Sequence, residues 1–442
     1  MFYIVEEESK LKSLEKFIKI GCYIEVISSN DNFHNGLAET VAIYLRMVKS
    51  NHGYIIPIDH NEGVNIPKER IYELLDKASN VYTLNKKELL YHLNIQKAID
   101  VSLMYSMIHF DKLEVTSNNT TINWYYSKHG NNPNINKIIP ITKLYERCEV
   151  KYDCIEEYID KKNIPTGFDF YNNIATNVFY LLEQQGLGVE TKPFIDKFKP
   201  RNPIYNLSNN RVFTSYNLYN STSRPTNAFN SVNFAAIPKD SEYRNCFTPT
   251  NNFFVEFDFD GYHLRLLCDQ INYQLTSESA HKQLAKNYFG TDDITDDQYK
   301  EAKQINFQAI YGKIPEEHKN LEIFKLVQEY IDNMWSVFKE IGIVCNPQSG
   351  KGFTDELKDM HPAKLMNYMM QSLETSNNIL ILKEVLRYLR NKKTFISLYT
   401  YDAILFDFSK EDGKETLEDI KKIMEQKGKF PVKFKYSTNL VL

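Results

Sequence analysis

The sequence predicts a two-part protein: an α/β unit in the first third and an α+β unit in the second half. Three observations predict this. Residues 1–115 alternate strand-like runs (CYIEVIS, GYIIPID) with helix-like ones (KERIYELLDKA, NKKELLYHL). From 251 onward the pattern becomes a strand, a helix, a long helical region and a closing strand pair. Between the two, Pro193, Pro200, Pro203 and Pro225 punctuate a polar stretch. At 442 residues and 42% hydrophobic content, the chain is long and apolar enough for two or three cores.

In the first unit, NGLAETVAIYLRMV (35–48) reads as a further helix, and the Asn/Thr-rich residues 116–145 read as loop. Helical patterns then run from Tyr145 to Gln185 with a break at Pro165-Thr-Gly, and GLGV (186–189) reads as a helix stop. Residues 190–235 read as irregular. The boundaries expected are 1–160, a helical connector over 161–201, and 202–442.

A net charge of −4 excludes a globally basic surface but not a locally basic cleft. Six cysteines without a CxxC pair predict free thiols in a reducing compartment, and exclude a disulfide framework and a cysteine zinc site. MFYIVEEESK has no basic n-region, and no run of about 18 apolar residues occurs. A soluble, cytoplasmic protein with no membrane partner is expected.

Three segments carry carboxylates or cations in informative places. FVEFDFDGYHLRLL (254–267) places Asp258 at the end of an apolar run, before a glycine turn and a helix. There it either caps the helix or faces a cleft as a ligand for Mg²⁺. SLYTYDAILFDF (397–408) places Asp402 at the turn of a strand pair, where it is either turn chemistry or a second metal carboxylate. In EAKQINFQAIYGK (301–313), Lys303, Phe307 and Tyr311 share one helix face and Gly312 ends the helix. That stripe is either core with a snorkelling lysine or a site for a triphosphate and a base. In PAKLMNYMMQSLET (362–375), Asn367 and Gln371 share a face and are either packing residues or minor-groove readers.

Taken in order, these segments resemble the family A DNA polymerases. FDFDGYHLR is similar to motif A (DYSQIELR), AKQINFQAIYG to motif B (AKxxNFGxxYG) and TYDAILFD to motif C (HDExxxE). RVFTSYNLYNSTSRPTNAFNSVNFAAIP (211–238) resembles the segment with RxHTSY, TGRLSS and NLQNIP, and MNYMMQ (366–371) the NxxxQ helix. The resemblance spans about 202–442. It implies a palm of α+β type with helical fingers, primer–template DNA and dNTPs as substrates, and two Mg²⁺ ions (or Mn²⁺). It makes Asp258 and Asp402 the catalytic metal carboxylates and the Phe259 carbonyl a further metal ligand. Lys303, Phe307, Tyr311, His263, Arg265 and His281 would bind the nucleotide, and Arg224, Asn367 and Gln371 the DNA.

Departures accompany it. The arginine usual before the motif B lysine is Tyr299, leaving Lys300 or His281 to compensate. Motif C keeps only its central aspartate, and His263 stands where the family has the glutamate that walls off the ribose 2′-OH. NHGYIIPIDH (51–60) and AIDVSLMYSMI (98–108) resemble the family's RNase H-like 3′–5′ exonuclease domain. Its carboxylates are thin here: Glu25 with Tyr23 at the usual Asp position, Glu88, and Glu149. The resemblance therefore implies a degenerate exonuclease-like domain. The long helical thumb has no counterpart between about 193 and 202, which implies a reduced or absent thumb and a processivity or replisome partner. Compactness suggests a phage or plasmid enzyme. An RNA-synthesising relative and a catalytically weak, nucleic-acid-binding replisome subunit are the other readings.

Overall fold

The structure, a computed structural model, describes residues 2–30, 38–115, 119–159, 164–199, 207–227, 233–238, 242–276 and 278–442. Six strands build the first sheet: β1 (Phe2–Ile4), β2 (Cys22–Ser28), β3 (Thr40–Met47), β4 (Gly53–Pro57), β5 (Val81–Thr83) and β6 (Ala98–Asp100), in the order β1-β4-β3-β2-β5-β6. β2, β3 and β4 form an antiparallel meander, and β5 and β6 add in parallel beyond β2. One face packs Ile24, Ile43 and Leu45 under helices Glu8–Ile18 and Lys68–Asp76. The other packs Tyr23 and Tyr44 against Leu144 and Cys148 of helix Ile141–Asp153.

This sheet corrects two expectations. Residues 40–47, expected as part of a helix, form β3, which is buried along its whole length. A central strand covered on both faces loses the polar alternation that marks a strand, and the β-branched Thr40, Val41 and Ile43 suit it. The stretch expected as loop over 116–145 holds the helices Thr120–His129 and Ile135–Ile138 and the start of Ile141–Asp153. Asn119 starts the first of these, its side chain accepting from the Thr121 and Ile122 amides at 3.1 and 3.2 Å. An Asn-rich composition that reads as loop thus serves as a helix cap.

A π-helical turn, Phe170–Ala175, leads into helix Thr176–Glu183. A small sheet follows, in the order β7-β9-β8, from β7 (Leu187–Gly188), β8 (Leu207–Ser208) and β9 (Arg211–Val212). Between β7 and β8 lies one described helix, Thr191–Phe198, in a stretch expected to be irregular. Pro193 sits in its first turn, where a missing N–H costs little. Residues 200–206, within the expected thumb gap, lie outside the described residues. A short pair, β10 (Tyr216–Asn217) with β11 (Thr226–Asn227), precedes the second main sheet.

That sheet is antiparallel, in the order β15-β16-β12-β17, from β12 (Phe253–Phe259), β15 (Phe395–Thr400), β16 (Ala403–Phe408) and β17 (Val432–Ser437), with the hairpin β13 (Ile343–Cys345) and β14 (Gly352–Thr354) apart from it. Helix Pro362–Leu389 packs against this sheet and against the helices Tyr262–Gln270 and Glu322–Ile341. One apolar cluster joins both halves of the chain, including Tyr44, Leu144, Phe179, Phe257 and Leu382. Buried polar contacts cross the same junction. Lys87 is paired with Glu183 at 2.5 Å, the Tyr216 amide donates to Glu183 at 2.6 Å, and the Tyr219 hydroxyl donates to Asp100 at 2.9 Å.

Among the described residues no helix is long and apolar enough to cross a membrane.

Candidate active site

β12 presents alternate side chains to two faces. Phe254 is buried with Leu398 and Leu405; farther along the same face come Glu256 and Asp258, only half-buried, where the cover ends. Asp258 is paired with Ala403 on β16, and the Phe259 amide donates to the Asp402 carbonyl at 3.0 Å. The ladder thus fixes Asp258 and Asp402 side by side at the tip of two strands. Thr400 pairs with Ala403, so Tyr401 and Asp402 are the two turn residues, Tyr401 in the left-handed region at φ 62°. The Asn378 side chain donates to the Tyr401 carbonyl at 2.7 Å and holds that turn.

Both aspartates line one cleft of about 410 Å³. Across it runs helix Asp296–Ile310, started by a capping box of Thr295 and Gln298. Lys303, Phe307 and Tyr311 line the cleft, and the two rings remain 48% and 37% exposed, an open stacking surface. Gly312 follows at φ 76°, where a Cβ would stand 3.1 Å from the Ala363 Cα. At the cleft's other end Gly261, at φ 60°, starts helix Tyr262–Gln270, and a Cβ there would come within 3.1 Å of the Ala280 Cβ.

Electrostatics distinguish the carboxylates. Burial, then the charge of Glu374, pushes the Asp402 carboxyl above its usual range. Asp260 goes the other way: burial is outweighed by Lys433, whose Nζ lies 2.6 Å from Oδ1, and by the Ala280 amide. Asp260 is therefore a strut that ties β17 to the helix starting at Ala280. A carboxyl raised by a like charge, beside a second carboxylate, is an environment that a dication relieves. Among the described residues no cluster of three or more His, Cys, Asp and Glu side chains encloses a metal. Two oxygen-donor side chains beside open space fit Mg²⁺, which keeps water and takes substrate phosphates rather than an all-protein cage.

Of the residues expected at the site, Arg224, Asp258, Phe259, His263, His281, Lys303, Phe307, Tyr311 and Asp402 line the cleft together. Arg265 does not: it is buried, and its guanidinium donates to the carbonyls of Asp260, Thr276 and Glu278 at 2.9, 3.0 and 2.7 Å. Its groups are spent on holding the turn before helix Ala280–Phe289. Nor do Asn367 and Gln371, which bond to each other at 2.9 Å one turn apart on helix Pro362–Leu389. His281 is lowered to about 4 by burial and by Lys303, so it is neutral near pH 7 and supplies no cation. Lys300 is exposed and paired with Asp297, outside the cleft.

No family model and no curated protein sequence matches the chain. A solved structure does: the POL domain of Pol1 from M. smegmatis in complex with DNA primer–template and dNTP, with a TM-score of 0.72 and 12% identity, covering 100% of this chain and 99% of that one. The chain shares the fold of that POL domain.

Two cleft residues were missed by sequence reasoning. Lys433 stands opposite Asp258 in the β12–β17 register. A lone lysine in an edge strand gives no signal. Glu374 is 2% exposed in the middle of helix Pro362–Leu389. Its Oε1 lies 3.1 Å from His263 Nε2 and its Oε2 2.9 Å from Arg224 Nε. A signal existed for it: Glu374 follows Asn367 by seven residues and so shares its helix face. Around it Ser372, Thr375, Ser376, Asn377 and Asn378 are buried polar residues too, a run that a purely apolar core helix would not carry.

Proposed function

We propose that the chain is a template-directed DNA polymerase that adds dNTPs to a primer 3′ end by two-metal phosphoryl transfer. The observation that carries this reading is the placement of Asp258 and Asp402 on paired strand ends, facing Lys303, Phe307 and Tyr311 across one cleft. Phosphoryl transfer asks a protein chiefly for positioning and charge neutralisation. Asp258, Asp402 and the Phe259 carbonyl are the groups that would hold two Mg²⁺ ions. When bound, such ions activate the attacking hydroxyl and neutralise the phosphates. Lys303 meets the triphosphate, and Lys433, near Asp258, adds positive charge at the same end. Phe307 and Tyr311 offer rings to the base. Arg224 faces the primer terminus, with Asn367 and Gln371 farther along the duplex. The solved neighbour with primer–template and dNTP supports the same assignment through its fold.

The first sheet, a meander extended by parallel strands, supports the reading of an RNase H-like domain. Two of the three carboxylates expected there, Glu25 and Glu149, already have partners. Lys151 pairs with Glu25, and Glu149 accepts from Tyr44 and pairs with Arg46 at 3.0 Å. Arg46 also reaches Asp153 at 3.8 Å and lies over the Tyr152 ring. With cations where metal ions would be needed, this domain serves as scaffold rather than as a 3′–5′ exonuclease. Among the described residues between β7 and β8 there is one helix of eight residues, which supports a reduced thumb, hence weak grip on the duplex and a partner that supplies processivity, as in compact phage or plasmid replication.

A second reading, synthesis with ribonucleotides, rests on His263, which stands on Glu374 at the cleft. Extension of a primed DNA template with Mg²⁺ and either dNTPs or rNTPs tests both. Extension with dNTPs that vanishes in Asp258→Ala supports the first reading; preferential rNTP use supports the second; no extension with either leaves a nucleic-acid-binding subunit.

A further inference from the structure

Three groups in the cleft share one carboxylate. Glu374 is buried in the middle of a helix, yet it touches His263 from helix Tyr262–Gln270 with one oxygen and Arg224 from the β10–β11 connection with the other. Both distances are those of ion pairs, while the N–H groups are not aimed as aligned hydrogen bonds. The carboxylate is thus held from two sides by close contacts rather than by aligned hydrogen bonds.

Arg224 is fixed from behind as well. Its guanidinium carbon lies 3.8 Å from the centre of the Tyr401 ring, next to Asp402. Its carbonyl accepts from Asn220 at 2.7 Å. The preceding residue, Ser223, is left-handed at φ 54° and accepts at 2.7 Å from Lys351, itself fully buried against the Phe110 and Tyr171 rings. The backbone at Arg224 is therefore anchored, while its guanidinium is placed by two contacts alone, Glu374 on one side and the Tyr401 ring on the other.

We propose that Glu374 is a positioning residue that couples the two sides of the cleft: through one carboxylate, the place of His263 on the nucleotide side sets the place of Arg224, and of the Tyr401–Asp402 tip beneath it, on the primer side. This rests on the polymerase reading for the identity of the two ligands, but the coupling itself does not. A buried anion shared by two partners makes their substitutions non-additive, because each partner leaves the other alone with the charge. Neither His263 nor Arg224 contacts the other through any bond described; both also act by charge on Asp402, so the share carried by Glu374 is the part of their coupling that its removal abolishes.

The test is a mutant cycle run twice. Arg224→Gln and His263→Gln are made singly and together, in the parent and in a Glu374→Gln background, which keeps the volume and removes the charge. Two properties are read: urea unfolding, and equilibrium binding of a labelled primed DNA without nucleotide. In the parent background the double variant should depart from the product of the single effects by about threefold or more in each equilibrium constant. In the Glu374→Gln background the departure should fall below about twofold. Multiplicative effects in the parent, or a coupling that stays at about twofold or more in Glu374→Gln, would overturn the proposal. If the parent fails to bind primed DNA, the polymerase reading fails and the unfolding cycle alone decides the coupling. If Glu374→Gln does not fold, Glu374→Asp replaces it: the shorter side chain cannot reach both partners, so the coupling should fall below twofold, and an undiminished coupling would count against the proposal.

Discussion

Lys351 offers the sharpest quantitative test of how the primer-side wall is built. It is 1% exposed, its Nζ donates to Ser223, two aromatic rings flank it, and burial lowers its ammonium from the ordinary 10.5 to about 7. A lysine that releases its proton early in the folded state makes unfolding take up protons between these two values. Stability therefore rises with pH through the window from about 7 to 10.5 and is lowest below it. At about 1.4 kcal/mol per pH unit of difference, the penalty approaches about 5 kcal/mol at low pH. The linkage relation leaves about 2 kcal/mol of it at pH 9, so about 2 kcal/mol is relieved between pH 7 and pH 9. Lys351→Met removes the titration while filling similar space, at the cost of about 1 kcal/mol for the lost hydrogen bond. The assay is urea denaturation of both proteins at pH 7, 8 and 9, with unchanged m-values as the check on two-state unfolding. The variant should be the more stable at pH 7, and its advantage should shrink by about 2 kcal/mol by pH 9. An advantage that is constant with pH, or that grows, refutes the argument that a buried ammonium sits behind Ser223.

Four further outcomes are expected. Asp258→Ala and Asp402→Ala should each reduce primer extension to the level of a chelator-treated control, while thermal unfolding shows the fold retained; unchanged extension in either would remove the proposed metal site. His263→Glu places a second carboxylate where the imidazole stands 3.1 Å from Glu374, so it should bind primed DNA and nucleotide worse than the double variant His263→Glu/Glu374→Ala; the reverse order would contradict the contact. The protein should not degrade a 3′ end with Mg²⁺ or Mn²⁺, and Lys151→Ala should expose Glu25 without creating nuclease activity; degradation by the parent would mean that the paired carboxylates still bind metal. Lys303→Ala should raise the KM for dNTP by about tenfold or more, as expected for loss of a charge-assisted contact of about 1.5–3 kcal/mol, measured by single-nucleotide incorporation.

The candidate site was legible in the sequence because its parts are local. Asp258 follows an apolar run, Asp402 falls in a two-residue turn, and Lys303, Phe307 and Tyr311 repeat at helical spacing, so each segment announces its own geometry. Where sequence reasoning failed, the cause was long-range. β3 reads as a helix because both its faces are buried, and only its neighbours supply that cover. Arg265 reads as a nucleotide contact by its position, yet its guanidinium is consumed by three carbonyls up to 13 residues away. His281 reads as a spare cation, and burial makes it neutral.

What the sequence by itself determined, then, is the order of the elements and the residue types they deliver to one cleft. Strand ends, turns and helix faces follow from short-range periodicity. The tertiary structure alone decided how those residues are charged and which of them are free to act. It set Glu374 between His263 and Arg224, gave Asp260 to Lys433, and paired Glu25 with Lys151 and Glu149 with Arg46. Each of these depends on desolvation and on partners far apart in the chain, and a carboxylate's role is set by what lies within about 4 Å of it rather than by its neighbours in sequence.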